Sequence, residues 1–147
     1  MGRATRSAEG ARLMLVLDDL PLPCPVNRMW RMSGRVIHLS KEANDKTKAI
    51  VAEIHQRLGG APEPIVGEVA VYMRWWRREN NRRCDVDAYI KGALDAMTKA
   101  GVWADDSQVV MVQCELMPER RFPGLWSVTV DEVGQGLIGD CAGGSNV

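Results

Sequence analysis

Asp85-Val86-Asp87-Ala88-Tyr89-Ile90-Lys91-Gly92-Ala93-Leu94-Asp95-Ala96-Met97-Thr98-Lys99-Ala100-Gly101 is the stretch on which the reading of this chain turns. Val86, Tyr89, Ile90, Ala93, Leu94 and Met97 recur at the spacing of one buried helix face. Asp85 stands just ahead of that run in the N-cap position, and Gly101 follows it as a left-handed stop, which predicts a helix over residues 86–99. At about 100° per residue, Asp87, Lys91, Asp95 and Thr98 share one shoulder beside the apolar stripe, where a polar row can line a cleft.

A second acidic group, Trp103-Ala104-Asp105-Asp106, comes after the glycine turn and before the strand-like run Val109-Val110-Met111-Val112. A turn followed by a strand can bring it back towards Asp85 and Asp87, gathering three carboxylates and a lysine at one helix end. Such a set suits metal-assisted phosphodiester cleavage. Carboxylate oxygens hold Mg²⁺, or Mn²⁺ in its place, and a lysine offsets charge that builds on the reacting phosphate. The same residues admit a plainer reading. Aspartates at N-cap and N2 favour any helix by about 0.5–2 kcal/mol. Asp87 and Lys91 can be a surface i,i+4 pair worth about 0.3–0.5 kcal/mol, and Asp-Asp-Ser is a common turn signal.

Upstream, Arg74-Trp75-Trp76-Arg77-Arg78-Glu79-Asn80-Asn81-Arg82-Arg83 leads directly into Asp85 and is the densest basic run. It begins as a strand in which Val69, Val71, Met73 and Trp75 share one side, so Trp75 reads as a core ring. Arg82 and Arg83 adjoin the carboxylates and are candidates for DNA phosphate contacts, since arginine binds phosphate bidentately. Arg28 and Arg31, near Trp30 and Arg35, form a second basic and aromatic group, which a solvated loop with one buried ring would explain equally. The formal net charge is zero but polarised. Residues 1–84 carry 15 Lys/Arg against 9 Asp/Glu, and residues 85–147 carry 4 against 10. The basic half can face a polyanion, and a bound cation would invert the local sign of the acidic half.

A chain of 147 residues with 46% hydrophobic content suits one compact domain. No apolar run approaches membrane-spanning length and no signal peptide is evident, so a cytoplasmic protein without a membrane partner is expected. The cysteines Cys24, Cys84, Cys114 and Cys141 are too scattered for zinc or a disulfide framework. Residues 11–18 and 35–39 read as strands. Ser40 caps a helix with Ala43, Thr47, Ile50, Val51, Ile54 and Leu58 on one face, ended by Gly59-Gly60. Residues 109–116 and 125–133 alternate as two further strands. The expected fold is α+β, a single compact domain over residues 11–133 with a mixed β-sheet covered by two α-helices. Residues 1–10 are expected to be a disordered tail and residues 134–147 a flexible one.

The segment from Asp85 to Val110 resembles, without a gap, the core motif of the RusA family of Holliday-junction resolvases. That motif runs approximately D-x-D-N-x-x-K, then D-A-L-x-x-A-G-x-W-x-D-D-x-Q-V. A second block, from Leu22 to Trp30 and on to Gly34–Lys41, is similar to the family's N-terminal P-x-N loop and the strand and serine after it. The resemblance implies a RusA-like fold and a Mg²⁺-dependent endodeoxyribonuclease that resolves four-way DNA junctions by paired hydrolysis, leaving 5′-phosphates, and acts as a homodimer. It makes Asp85, Asp87 and Asp106 the metal-binding carboxylates and Lys91 the essential lysine, with Asp105 and Asp95 in supporting or structural places. Ala88 stands where the family usually has asparagine, and Cys84 where Pro or Arg is common. A non-catalytic branched-DNA-binding module is the alternative, keeping the basic surface without a competent site.

Overall fold

Ser40 opens the first helix as its side chain predicts: its Oγ accepts from the Ala43 amide at 3.1 Å, and α1 runs Lys41–Leu58. Gly59, at a φ of 75°, ends it in the left-handed conformation that costs glycine nothing. Ile50 and Ile54 from α1 are fully buried. The structure is a computed structural model that describes residues 3–6, 13–78 and 85–133. The tail expected over residues 134–147 lies outside the described residues.

Among the described residues seven strands accompany the helices: β1 (Arg3–Arg6), β2 (Leu13–Pro21), β3 (Trp30–Ser33), β4 (Val36–Leu39), β5 (Val69–Trp76), β6 (Val109–Leu116) and β7 (Leu125–Glu132). Five of them form a mixed sheet in the order β1-β2-β7-β5-β6, and β3 pairs with β4 in a separate two-stranded ribbon. Among these strands only β5 and β6 pair in parallel. A parallel pair needs a crossover between its strands, and the second helix, α2 (Ile90–Ala100), supplies it. Both helices cover the sheet face that carries Val69, Val71, Met73 and Trp75, in one core with Leu17, Ala93, Met97, Trp103, Trp126 and Val128. The opposite face is polar, with Tyr72, Arg74, Gln113, Glu115 and Thr129 around a shallow depression. The α+β architecture is thus the one the sequence implies. No helix among the described residues is long and apolar enough to cross a membrane.

Three expectations are corrected. Arg3–Arg6, placed by sequence in a disordered tail, forms β1 and pairs with β2 from Arg3↔Val16 to Arg6↔Leu13, because the outer edge of β2 offers an unpaired row of backbone groups. Trp30–Ser33 is a strand, β3, where a loop was expected. The second helix starts at Ile90 and not at Val86, and Asp85 does not cap it; Tyr89 holds the N-cap position, and its side chain makes no capping bond to the helix amides. Residues 85–89 form tight turns closed by Ala88 N–H to Asp85 O at 3.0 Å and Ile90 N–H to Asp87 O at 3.3 Å. The Val26 amide donates to the Ala88 carbonyl at 2.9 Å, occupying an acceptor that a longer helix would need for itself.

The segment that includes Val26 lies hard against α2. A Cβ added at Gly92 would sit 2.9 Å from both the Cys24 carbonyl oxygen and the Pro23 Cβ, well inside van der Waals contact. Gly92→Ala should therefore destabilise the fold by about 1–3 kcal/mol, the usual cost of overpacking, read from the chemical-denaturation midpoint. A midpoint equal to wild type would mean that the segment retreats freely and does not fix the start of α2.

Candidate active site

Tyr89 is the residue that aims the first acidic pair. It is buried, with its ring 5.4 Å from that of Trp75, which in turn stacks on Trp126 at 5.2 Å and 25°. With Tyr89 turned into the core, Asp85 and Asp87 in the preceding turn are left exposed on the surface. Trp75 is fully buried, as its strand position predicts.

Lys91 lies on the first turn of α2 and its ammonium pairs with Asp95 at 2.9 Å, one turn on. It does not pair with Asp87, which stands outside the helix and so has no i,i+4 geometry to offer. The hydrogen bond to Asp95 is the main cause that raises the Lys91 pKa above its ordinary value; desolvation opposes it, and the negative charges of Asp95 and Asp106 add to the rise. Since the folded-state pKa is raised, the pair contributes fully below the ordinary lysine pKa and is lost only as pH rises through the higher value. Lys91 is therefore cationic across the neutral and mildly alkaline range.

The second acidic pair divides its labour. Asp105 and Gln108 form a reciprocal capping box around the short 3-10 helix Asp106–Gln108, and Ser107 Oγ donates to Asp105 Oδ2 at 2.7 Å. Gln108 ties the turn down further. Its Oε1 accepts from the Ala104 and Asp105 amides at 2.8 and 3.0 Å, and its Nε2 donates to the carbonyls of Ile65 and Gly67 at 2.7 and 2.9 Å. Asp106 points instead at α2, where Thr98 Oγ1 hydrogen-bonds its Oδ1. Thr98 also accepts from the indole N–H of the fully buried Trp103 at 2.7 Å. Trp103, Thr98 and Asp106 thus make a relay from core to surface.

A family model for the endodeoxyribonuclease RusA matches residues 21–130. The chain belongs to the RusA family. It is 33% identical over 118 residues to the crossover junction endodeoxyribonuclease RusA of Escherichia coli strain K12, a match covering 78% of this chain and 92% of that protein. The protein of the same name from Shigella sonnei strain Ss046 gives the same figures. That of Enterobacteria phage 82 is 32% identical over the same length, with the same coverage of each chain.

Within this RusA-family site the structure brings some of the expected residues together and leaves others apart. Lys91 and Asp95 are bonded, and Lys91 lies within electrostatic reach of Asp106. Asp85 and Asp87 precede α2, while Asp106 lies against Thr98 in its last turns. Among the described residues no three His, Cys, Asp or Glu side chains converge as a metal-ligand set. The donor chemistry still fits a hard cation, because these are carboxylate oxygens, and Mg²⁺ is usually held by one or two of them together with waters and substrate phosphate. Arg82 and Arg83 lie outside the described residues. Arg28 and Arg31 are exposed at the base and on the first strand of the β3–β4 ribbon.

Thr98, Trp103 and Gln108 have structural parts here that their sequence positions did not announce. Asp105-x-x-Gln108 is a legible capping-box spacing, and Thr98 shares the polar shoulder of α2. The relay is open to direct test. Thr98→Val should strand the buried Trp103 indole and release Asp106, costing about 1–3 kcal/mol in denaturation and shifting the Trp103 indole N–H resonance. Thr98→Ser should restore both. A valine variant with wild-type stability and an unmoved indole signal would remove the relay.

Proposed function

We propose that this chain is a structure-selective endodeoxyribonuclease that resolves four-way DNA junctions, using Mg²⁺ to hydrolyse a phosphodiester in each of two strands. The observation that carries this reading is the RusA-family match over residues 21–130, which spans all of the described site; the relatives are named crossover junction endodeoxyribonucleases. A DNA substrate of this kind implies action in the cytoplasm.

Asp85, Asp87 and Asp106 would hold the metal. When bound, Mg²⁺ supplies a Lewis acid for the phosphate oxygens and lowers the pKa of a water that can attack. The protein's own part is positional and electrostatic. Asp85 and Asp87 stand exposed on a turn that Tyr89 anchors, so backbone and not a flexible loop sets their placement. Asp106 is held from behind by Thr98. Lys91 stays protonated and is steered by Asp95, which suits it to stabilise charge developing on the scissile phosphate. Hydrolysis would leave a 5′-phosphate and a 3′-hydroxyl.

Replacement of Asp85, Asp87 or Asp106 by asparagine should each abolish cleavage of a labelled synthetic four-way junction. Binding in a gel-shift assay should stay intact or tighten, since each change also removes a negative charge facing DNA. Lys91→Ala should lower single-turnover cleavage by about 10²–10³, the size of one missing oxyanion-type donor. Near-normal nicking by the Asp106→Asn protein would move that role to Asp105. A wild-type protein that binds junctions without cutting them would make the chain a binding module.

A junction offers two strands in symmetric positions, so a two-fold dimer with two sites suits the task. The sheet ends at β6, where Val110, Met111 and Val112 are exposed, and an apolar edge of this kind supports a second copy as its cover. Mixing wild-type with Asp85→Asn chains should give heterodimers that nick one strand and release no linear duplex. Light scattering that finds a monomer both alone and on junction DNA would defeat the dimer and leave a nickase.

A further inference from the structure

The β3–β4 ribbon exposes a side that a small protein normally hides. Its register pairs Trp30 with Leu39, Arg31 with His38, Met32 with Ile37 and Ser33 with Val36. Directly paired residues share a face and successive residues alternate, so Trp30, Met32, Ile37 and Leu39 lie on one side, and Arg31, Ser33, Val36 and His38 on the other. Leu39 packs inward on a small core of Cys24, Met29 and Ala43. Beyond it the apolar side opens to solvent, with Trp30 49%, Met32 72% and Ile37 64% exposed. A solvated loop with one buried ring is therefore not what this segment forms.

The base of the ribbon is rigid and adjoins the candidate site. Ser40 N–H donates to Met29 O at 2.7 Å, and Ser40 Oγ–H donates to Arg28 O at 2.8 Å. Val26 N–H donates to the Ala88 carbonyl, next to Asp87, at 2.9 Å, and the Pro23–Cys24 backbone rests on Gly92 of α2. Gly34, with a φ of 61°, turns the chain tightly at the tip beside Arg35. The ribbon thus projects from beside the turn that carries Asp85 and Asp87.

Charge selects the occupant. Arg28, Arg31 and Arg35 lie on or beside the ribbon, and no Asp or Glu occurs from residue 20 to residue 41. Glu42 is shared between Arg28 at 3.6 Å and Lys46 at 3.1 Å and lies within electrostatic reach of Arg31 as well, so this one carboxylate stands among three cations and leaves the patch basic. A second copy laid on this ribbon would set like charges against each other, whereas a polyanion would not. Exposed aromatic and aliphatic side chains beside arginines are the means by which proteins wedge into base steps or stack on unpaired bases. A continuous duplex hides its base faces; a branch point uncovers them.

We infer that the β3–β4 ribbon is the element that tells a branch point from continuous duplex: Trp30, Met32 and Ile37 stack on bases uncovered at the crossover while Arg28, Arg31 and Arg35 hold the flanking phosphates. This rests on the proposed junction-cutting activity and names the part of the chain that selects its substrate.

The test compares full-length wild type with a Trp30→Ala/Ile37→Ser double variant and a separate Met32→Ser variant. Binding is measured to a four-way junction carrying 2-aminopurine at the crossover and to linear duplex of the same sequence. The double variant should bind the junction about tenfold more weakly, as expected when one base stack is removed, and should abolish the 2-aminopurine signal, while duplex binding is unchanged. Met32→Ser should move in the same direction by less, which covers the case in which the double variant fails to fold. Arg31→Ala/Arg35→Ala should weaken binding to both DNAs and flatten the dependence of log K on log salt by about 0.9 for each phosphate no longer neutralised. Equal weakening on both DNAs for the apolar variants, or an unchanged junction preference, would overturn the inference while junction cutting by wild type stood. Dissociation of a wild-type dimer by the double variant without DNA would reassign the face to a second copy and overturn it too. A wild type that does not prefer junctions to duplex would remove the proposed activity itself.

Discussion

Burial of Tyr89 against Trp75 is the contact on which the placement of the candidate site depends. Trp75 sits in the central strands of the sheet and stacks on Trp126 from the neighbouring β7, so its position is set by backbone pairing on both sides. Tyr89 takes its position from Trp75. The turn that precedes it, with Asp85 and Asp87, is then a rigid extension of the core. Aromatic pairs of this kind contribute about 0.5–1.5 kcal/mol beyond the area they bury, yet their larger effect here is directional: with the ring inward, the two carboxylates face outward.

What the sequence made legible follows from how local each cause is. Ser40 caps α1 through its own side chain and an amide three residues on, so the start of that helix was readable. Trp75 was readable as core because alternation along β5 marks its side. The start of α2 was not, because the competitor for the Ala88 carbonyl is the Val26 amide from a distant part of the chain. β1 escaped for a similar reason: what makes Arg3–Arg6 a strand is the edge of β2. In β3, Trp30-Arg31-Met32-Ser33 alternates in polarity without burying either side, so the usual link between alternation and burial gave no signal.

At the site, residue types were legible and orientations were not. Spacing alone offers Lys91 two partners four residues away, Asp87 and Asp95, and only the late start of α2 decides for Asp95. Neighbouring Asp105 and Asp106 are identical in kind. They part because one carboxylate is taken up by the capping box and the other by Thr98, and the second of these rests on packing that holds Trp103 beneath the helix. Arg28 and Arg31 were readable as a basic group, but the exposed apolar face beside them came into view only with the register of the ribbon.

The crossover between β5 and β6 gives the site a particular life history. Asp85, Asp87, Lys91, Asp95 and Asp106 all lie between two strands that pair in parallel, so the whole acidic set rides on the crossover that this pairing closes. Until β6 docks beside β5, Asp106 has no helix to lean on and the two halves of the acidic set are merely neighbours along a string. A chain in which β6 is unpaired therefore lacks the seat of Asp106 against α2, so the candidate site and the sheet are gained or lost together.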